Sequence, residues 1–375
     1  MRIEISKIVR GILGDATLSQ IIPGLGLALG VVAVATIASS FLQYSLSLVQ
    51  NPISPILLAI VLGIALRSSI NLSKSFNPGI KFGMSSLLRF GIILMGIRLS
   101  ILSVMKISVV AVGMVFVCIV AALGITMYLS KRIGISERLG ILIAAGTSIC
   151  GVSAIVATAP AIEADEEEIS YAVATITIFG ILATLIYPYL TEMVLGLSTA
   201  GAGFFIGTSV HDTSQVTAAA LIYDQIWSRV TPGGLTGVDI AITTKLVRNT
   251  FMVLVIPLLG FLYRKKTEMG SGTRIKHTKY VPLFVIGYLA MGGVHSLGDF
   301  IFGIDDESWL LAWGTVKSSA TLVISVAIAC VGLNTDIGKF RIHGYKPFVV
   351  GFSAALSVGL VSWLLIQLFN QELLF

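Results

Sequence analysis

Long apolar stretches alternate with short polar connections along the whole chain. Eleven windows of about 20 mainly apolar residues, the length that crosses a bilayer as a helix, can be counted. Their centres lie near Val31, Leu58, Phe90, Phe116, Ile149, Ile178, Gly207, Leu254, Tyr288, Leu322 and Leu356. This pattern predicts an all-α polytopic membrane protein with about eleven transmembrane helices.

Composition supports the same class of protein. Of 375 residues, 55% are hydrophobic and only 12% are charged, an apolar fraction that a soluble domain cannot bury. The three cysteines Cys118, Cys150 and Cys330 fall in different spans without metal-ligand spacing. We therefore expect no metal and no cofactor.

The basic residues sort by loop and predict the topology. With a cytoplasmic N-terminus, the inner loops hold 18 of the 25 Lys and Arg residues, and the outer loops hold Arg98, Lys106 and Arg229. The positive-inside rule therefore predicts that the N-terminus is cytoplasmic and the C-terminus outside. The acidic run Glu163–Glu168 then falls outside. Because the basic excess is explained by topology, we expect no nucleic-acid partner.

Short alignments between spans indicate an internal repeat. "SLLRFGIILMGIRL" in span three aligns with "KLVRNTFMVLVIPL" in span eight, and "GTSICGVSAIV" in span five aligns loosely with "GTVKSSATLVI" in span ten. We interpret residues 1–48 as an amphipathic segment with an extra helix, 49–197 as a first five-helix repeat, and 198–375 as a second, inverted repeat. Chance similarity between helices rich in Gly, Leu and Ile is the alternative.

Two polar stretches interrupt apolar spans. "GTSICGVSAI" begins at Gly146 in span five, and "GTSVHDTSQV" begins at Gly207 in span seven, outside the register of the repeat. Freed backbone groups must face protein or water at membrane depth, so these stretches predict broken helices beside a substrate site. Close helix packing through small residues is the competing interpretation. The candidate substrate-binding residues here are Thr147, Ser148, Cys150, Gly151, Ser153 and Gln215, with Thr315 and Ser318 at a similar break predicted in span ten.

Charged residues inside spans predict the sign of the substrate. Intramembrane charges are costly and mark functional sites by default. The cations are Arg89, Lys245, Arg248 and Lys317, and the clearest acid is Asp212. Their positive excess favours an anion. Pairing of Asp212 with Lys245 or Arg248 and snorkelling of Lys317 remain open.

His211 and Asp212 are adjacent, and a histidine with a neighbouring carboxylate is suited to binding a coupling proton. A structural bond from His211 to the backbone is the alternative. "GTSICG" is not a nucleophile elbow, because no strand–turn–helix context surrounds it. We therefore expect that the protein is not an enzyme.

The motifs "GTSICGVSAIVATAPAI", "GTSVHDTSQVTAAA" and "TKLVRN" ahead of "IP" resemble the sulfate exporter family of YeiH-type bacterial membrane proteins, from about Pro52 to the C-terminus. That family is grouped with bile-acid symporters, arsenite efflux carriers and auxin-efflux-like carriers. The resemblance implies inverted five-helix repeats with broken helices crossing at the substrate site. It also implies a multi-pass protein of the bacterial inner membrane that carries sulfate or an organosulfonate.

Together these features predict a secondary active transporter of a small inorganic or organic anion that works by alternating access. The oxyanion would lie between the half-helix N-termini of spans five and ten, near Arg89 and Arg248. A proton or sodium ion is the expected coupling ion, and homo-oligomer formation stays open. A carboxylate or amino-acid-like carrier of the same architecture and an anion channel are the alternative functions.

Overall fold

The computed structural model describes residues 17–45, 54–267, 283–303, 305–336 and 345–369. The amphipathic segment expected before residue 17 lies outside this part of the chain. Apart from one isolated bridge between Val230 and Thr236, the described residues form helices joined by turns. The α-helices are α1 Leu18–Ser45, α2 Pro55–Ser69, α3 Asn77–Phe82, α4 Leu88–Met95, α5 Ile101–Ile133, α6 Glu137–Ser148, α7 Val152–Thr158, α8 Glu166–Tyr189, α9 Thr199–Ser209, α10 Thr213–Trp227, α11 Gly237–Thr250, α12 Met252–Thr267, α13 Leu283–Phe302, α14 Glu307–Asn334 and α15 Lys346–Leu368.

Eight helical segments of the described chain are long and apolar enough to cross a membrane. They are Leu18–Ser45, Lys74–Arg98, Ile101–Ile133, Glu166–Val194, Gly237–Lys265, Phe284–Phe302, Glu307–Asn334 and Lys346–Leu368. Of the other three predicted spans, one is the 15-residue helix α2 and two are interrupted near Ile149 and Gly207. The all-helical membrane class is therefore confirmed, whereas the count of eleven crossings is not. The expected break in span ten is wrong, because α14 is continuous.

The chain folds into two compact units. Unit 1 combines residues up to Ile101 with Gln225–Trp227 and Phe284–Arg341, and unit 2 contains the rest. Within unit 1, α1 meets α3 at two facing glycines, Gly24 and Gly79, where an added Cβ would collide with the opposite backbone. Both units draw on both predicted repeats, so this division leaves the repeat boundaries a prediction.

In unit 2, α6 and α7 form a helical hairpin, which we call hairpin 1 (residues 137–161). As one straight helix these 25 residues would span about 37 Å. Instead, the chain returns to its starting end, since the Ser136 hydroxyl donates to Glu168 at 2.5 Å just after the hairpin. A Cβ on Gly146 would also lie 3.0 Å from Ile155 on the opposite arm. Span five therefore turns back at its break and does not cross.

Helices α9 and α10 form a second hairpin, hairpin 2 (residues 199–227). The Tyr223 hydroxyl, near its end, interacts with Thr199 at its beginning. Tyr223 also donates at 3.2 Å to Glu192 in the turn after α8. Hairpin 2 therefore begins and ends beside the C-terminal end of α8.

The two hairpins open at opposite ends of α8, because Glu168 marks its first turn and Glu192 follows its last. Helices α11 and α12 run antiparallel to α8. Asp224 accepts from Gly237 at 2.9 Å at one end of this pair, and Arg264 donates to the Ala161 carbonyl at 3.2 Å at the other. Unit 2 is thus built around two hairpins that enter from opposite ends.

This geometry corrects the predicted position of the acidic run. A cavity of about 420 Å³ at the open end of hairpin 1 is lined by Ser136, Glu168 and Lys346. Ser136 belongs to the loop that the charge pattern placed on the cytoplasmic side. Glu163–Glu168 therefore lies at the same end as the basic loop, and the prediction that it lies opposite is wrong.

Cysteine labelling tests the first hairpin. With the three native cysteines replaced, Lys131→Cys and Glu167→Cys should react with a membrane-impermeant maleimide from the same side, because both flank the open end of hairpin 1. Arg229→Cys, beside the open end of hairpin 2, should react from the other side. Opposite sidedness of Lys131→Cys and Glu167→Cys would show that span five crosses the membrane after all.

Candidate functional site

The first polar stretch ends α6 and forms the tip of hairpin 1. The Thr147 hydroxyl donates to the Ile143 carbonyl at 2.8 Å, a back-bond that keeps it within its own helix. Gly151 then adopts a φ of 56°, a left-handed conformation that favours glycine. The chain reverses over residues 149–151, which leaves the last carbonyl groups of α6 without helical partners.

The second polar stretch forms the tip of hairpin 2 in the same way. The Thr208 hydroxyl donates to the Phe204 carbonyl at 2.7 Å, and α9 ends at Ser209. Asp212 then caps α10 by accepting from the Ser214 amide at 2.9 Å, and the Gln215 side chain accepts from the Asp212 amide. Both "GTS" stretches therefore end a half-helix directly at a break.

Lys245 and Arg248 of α11 satisfy the carbonyl groups freed at both tips. Lys245 Nζ donates to Ile149 of hairpin 1 at 2.9 Å and to Val210 of hairpin 2 at 3.0 Å, and also to the His211 carbonyl. All three ammonium hydrogens are thereby used.

Arg248 makes a parallel set of contacts. Its Nε donates to Ser148 at 2.8 Å, its Nη1 donates to Thr208 at 2.7 Å and to Val210 at 3.1 Å, and its Nη2 donates to Thr147. The guanidinium group therefore links hairpin 1 to hairpin 2 through four carbonyl oxygens.

Burial makes these bonds decisive for the fold of unit 2. The Lys245 side chain is 0% exposed and that of Arg248 1%, so neither charge is solvated by bulk water. Each cation faces the negative ends of two half-helix dipoles, which offsets part of the desolvation cost. Among the described residues, no ion pair joins Asp212 to Lys245 or Arg248. The pairing with Asp212 that the sequence left open is therefore replaced by contacts to backbone carbonyl groups.

A smaller polar cluster lies beside the tips. Thr213 Oγ1 is 3.6 Å from Cys150 Sγ and accepts from Asn249 Nδ2 at 3.2 Å. Asn249 Oδ1 and both ring nitrogens of His211 are buried without a hydrogen-bond partner of good geometry, although the Thr147 carbonyl lies near the ring. Buried polar atoms of this kind call for an explanation, and a polar ligand or water supplies one. We call Cys150, His211, Thr213 and Asn249 the tip cluster.

The structure divides the predicted site residues between the units. Unit 2 holds ten of them: Thr147, Ser148, Cys150, Gly151, Ser153, His211, Asp212, Gln215, Lys245 and Arg248. Ser153 is exposed on α7, and Gln215 donates to the Thr177 carbonyl at 3.5 Å. Most of the remainder lie at the two tips, as the polar stretches suggested.

The other four predicted residues belong to unit 1: Arg89, Thr315, Lys317 and Ser318. Arg89 is exposed on α4. Lys317 Nζ lies 4.9 Å from the centre of the Trp313 ring, and the Thr315 hydroxyl donates back to Leu311 at 2.8 Å. The loose alignment of spans five and ten therefore selected residues on a continuous helix rather than at a break.

Sequence reasoning missed Thr213 and Asn249. Each directly follows a residue that it selected, Asp212 and Arg248 respectively. Their polar side chains within apolar spans were the signal that could have selected them as candidate site residues. No group of three or more His, Cys, Asp or Glu side chains among the described residues is arranged to hold a metal ion.

These features define a polytopic helical membrane protein with two opposed helical hairpins whose tips meet inside one unit. The family described as conserved hypothetical protein 698 matches residues 23–351, and the chain belongs to this family of UPF0324 membrane proteins. It is 35% identical to a UPF0324 membrane protein of Bacillus cereus over 92% of this chain and 94% of the relative. It is 32% identical to one of Streptococcus agalactiae over 91% and 95%, and 31% identical to one of Fusobacterium nucleatum over 84% and 90%. No solved structure gives a significant match.

Replacing Arg248 tests its role as the link between the tips. Arg248→Ala removes a buried donor from the Thr147, Ser148 and Thr208 carbonyl groups, whereas the Val210 carbonyl keeps Lys245, so we expect a loss of about 3–5 kcal/mol in the free energy of unfolding. The matched control is Arg229→Ala, which removes an exposed ion pair to Glu192 and should cost about 0–1 kcal/mol. Thermal unfolding of the purified proteins measures both. Equal shifts for the two variants would contradict the assignment.

Proposed function

We propose that the protein is a secondary active transporter of a small anion that works by alternating access. The observation that carries this proposal is the pair of hairpins that open at opposite ends of unit 2 and meet at buried polar tips. Carriers place their substrate where discontinuous helices meet near the middle of the membrane. Opposed hairpins provide one closure toward each side, which is what alternating access requires. The proposal includes no covalent step and therefore no enzyme activity.

The sign of the substrate follows from the charges at the tips. Lys245 and Arg248 carry two positive charges. Among the predicted site residues, Asp212 is the one carboxylate. Because Lys245 has all its hydrogens on carbonyl oxygens, it acts on an anion through its field, not through a direct bond. The direct contacts are assigned to the tip cluster, whose Thr213 hydroxyl and Asn249 amide offer donors.

Sulfate or an organosulfonate is the substrate that the resemblance to YeiH-type sulfate exporters adds to this picture. A tetrahedral oxyanion accepts several hydrogen bonds at once, which suits hydroxyl and amide donors that converge from α10 and α11. His211 and Asp212 are the proposed coupling residues, with a proton or sodium ion as the coupling ion. A carboxylate carrier of the same architecture and an anion channel are the competing functions.

The two hairpins also suggest a revised repeat and topology. The "GTS" stretches at the tips are 61 residues apart, and each hairpin is followed by a long crossing helix, Glu166–Val194 or Gly237–Lys265. We propose that this pair is an inverted repeat. The basic residues Lys131, Arg138 and Arg264 flank the open end of hairpin 1, which assigns that end to the cytoplasm of a bacterial cell. With α2 counted as a further crossing, the N-terminus is then cytoplasmic and the C-terminus outside.

Substrate binding is tested by sulfate counterflow in proteoliposomes. Thr213→Val keeps the shape of the side chain and removes the hydroxyl between Cys150 and Asn249, so the KM for sulfate should rise about tenfold. The control is Thr217→Val, whose hydroxyl only donates back to the Thr213 carbonyl at 2.8 Å. It should stay within about twofold of wild type.

The alternatives give different results in the same assay. Saturable counterflow with carboxylates but not sulfate would keep the carrier and remove sulfate as its substrate. Non-saturating currents would indicate a channel. A chemically altered product would indicate an enzyme, and equal effects of Thr213→Val and Thr217→Val would remove the tip cluster as the binding site.

The role of His211 is tested by the pH dependence of transport. Histidine is the side chain whose ordinary titration falls between about pH 5 and 8. If His211 binds the coupling proton, His211→Asn should flatten the dependence of uptake on pH across that range. His277→Asn, which lies outside the described residues, serves as the control. An unchanged profile in His211→Asn would exclude this residue as the coupling group.

A further inference from the structure

The nitrogen of Lys245 lies where backbone oxygens converge from two different hairpins. Ile149 supplies one carbonyl from hairpin 1, and Val210 and His211 supply two from hairpin 2. All three residues are 0% exposed. Carbonyl groups at half-helix C-terminal ends are the ligands with which broken-helix carriers bind a sodium ion.

We propose that the two tips form a monovalent-cation site and that the Lys245 ammonium group is its permanent occupant. The ammonium group is a compact point charge with three donors, and three carbonyl oxygens receive them. It therefore supplies at this position the charge and the directional contacts that a bound sodium ion would supply. This inference does not rest on transport, because cation binding is measured on the purified protein.

The helix ends around the Lys245 nitrogen favour a positive charge at this position. The ends of α6 and α9 direct the negative poles of their dipoles toward it. Arg248 is held by its own four carbonyl contacts, so it does not occupy the position of the Lys245 nitrogen.

A consequence is that the tips need no metal ion to stay together in the wild-type protein. Removing the side chain beyond Cβ would take the Lys245 donor from all three carbonyl groups around a small cavity, and the Val210 carbonyl alone would keep a contact, to Arg248. A sodium ion prefers oxygen ligands and would fill that position. Lys245→Ala should therefore convert an internal cation into an exchangeable one.

The experiment is thermal unfolding of purified wild type and Lys245→Ala in sodium chloride or choline chloride at equal ionic strength. Choline is too bulky for carbonyl coordination. In choline chloride the Tm of the variant should fall by on the order of 5 °C, and sodium should restore at least about half of this loss. The increase in Tm caused by sodium should be smaller for the wild type than for the variant, because Lys245 already fills the site.

Two comparisons keep the proposal testable. Lys106→Ala, which removes an exposed lysine of the same unit, should show neither the loss nor the sodium response. Methylammonium restores the missing ammonium group, so it should raise the Tm of Lys245→Ala and not that of Lys106→Ala. If Lys245→Ala does not fold, addition of sodium or methylammonium during purification should recover folded protein.

Two results would overturn the proposal. One is a Lys245→Ala protein that neither sodium nor methylammonium stabilises or recovers. The other is a sodium-dependent Tm increase in wild type equal to that of the variant, since an occupied site has no room for a second cation. Failure of sulfate counterflow would not affect either result, so this inference and the proposed function fail separately.

Discussion

The hydrogen bonds from Lys245 and Arg248 to the carbonyl groups of two helix breaks are the interaction on which unit 2 depends. A break deep in an apolar protein frees backbone groups that water cannot reach, and each unpaired group costs free energy comparable to a lost hydrogen bond. Helix α11 supplies seven donor contacts to these groups from two side chains one turn apart. The hairpins therefore exist as a pair because one helix completes the hydrogen bonds of both.

This use of cations changes how intramembrane charge is interpreted. The sequence predicts that cations inside spans bind an anion directly, because intramembrane charges are costly and mark functional sites. At the tips, most of that requirement is met by partial charges at the ends of α6 and α9. In the proposed function, the remaining positive field acts on a ligand that Thr213 and Asn249 contact. Charge and contact are thus provided by different residues.

Part of this arrangement could be predicted from the sequence. Glycine next to hydroxyl residues in an apolar window indicated the breaks after Ser148 and Ser209, and these breaks are present. Hydropathy could not show that the chain turns back there, because a window adds up apolar residues without regard to direction. Only a long-range contact such as Ser136 with Glu168 distinguishes a hairpin from a crossing.

The predicted repeat register illustrates the same limit. The alignment of Gly146 with Gly314 is based on residue types alone. Helix α14 shows that glycine and hydroxyl residues also occur in a continuous helix, where Thr315 and Thr321 donate back to the preceding turn. The similarity between the stretches that begin at Gly146 and Gly207 does not fit that register. It proved to be the more informative similarity, since both residues begin the stretch that ends a half-helix at a tip.

The sharing of Arg248 between the tips has a mechanical consequence. Its Nε and Nη2 hold hairpin 1 and its Nη1 holds hairpin 2, so moving one tip away from α11 breaks buried hydrogen bonds that no water replaces. The tips and the central part of α11 are therefore expected to stay together during any conformational change. The open ends of the hairpins, at Ser136 and Tyr223, are held by side-chain hydrogen bonds that do not involve the shared cations. In the proposed alternating-access mechanism, a ligand held by the tip cluster would therefore move with a rigid centre, and access would change at the open ends.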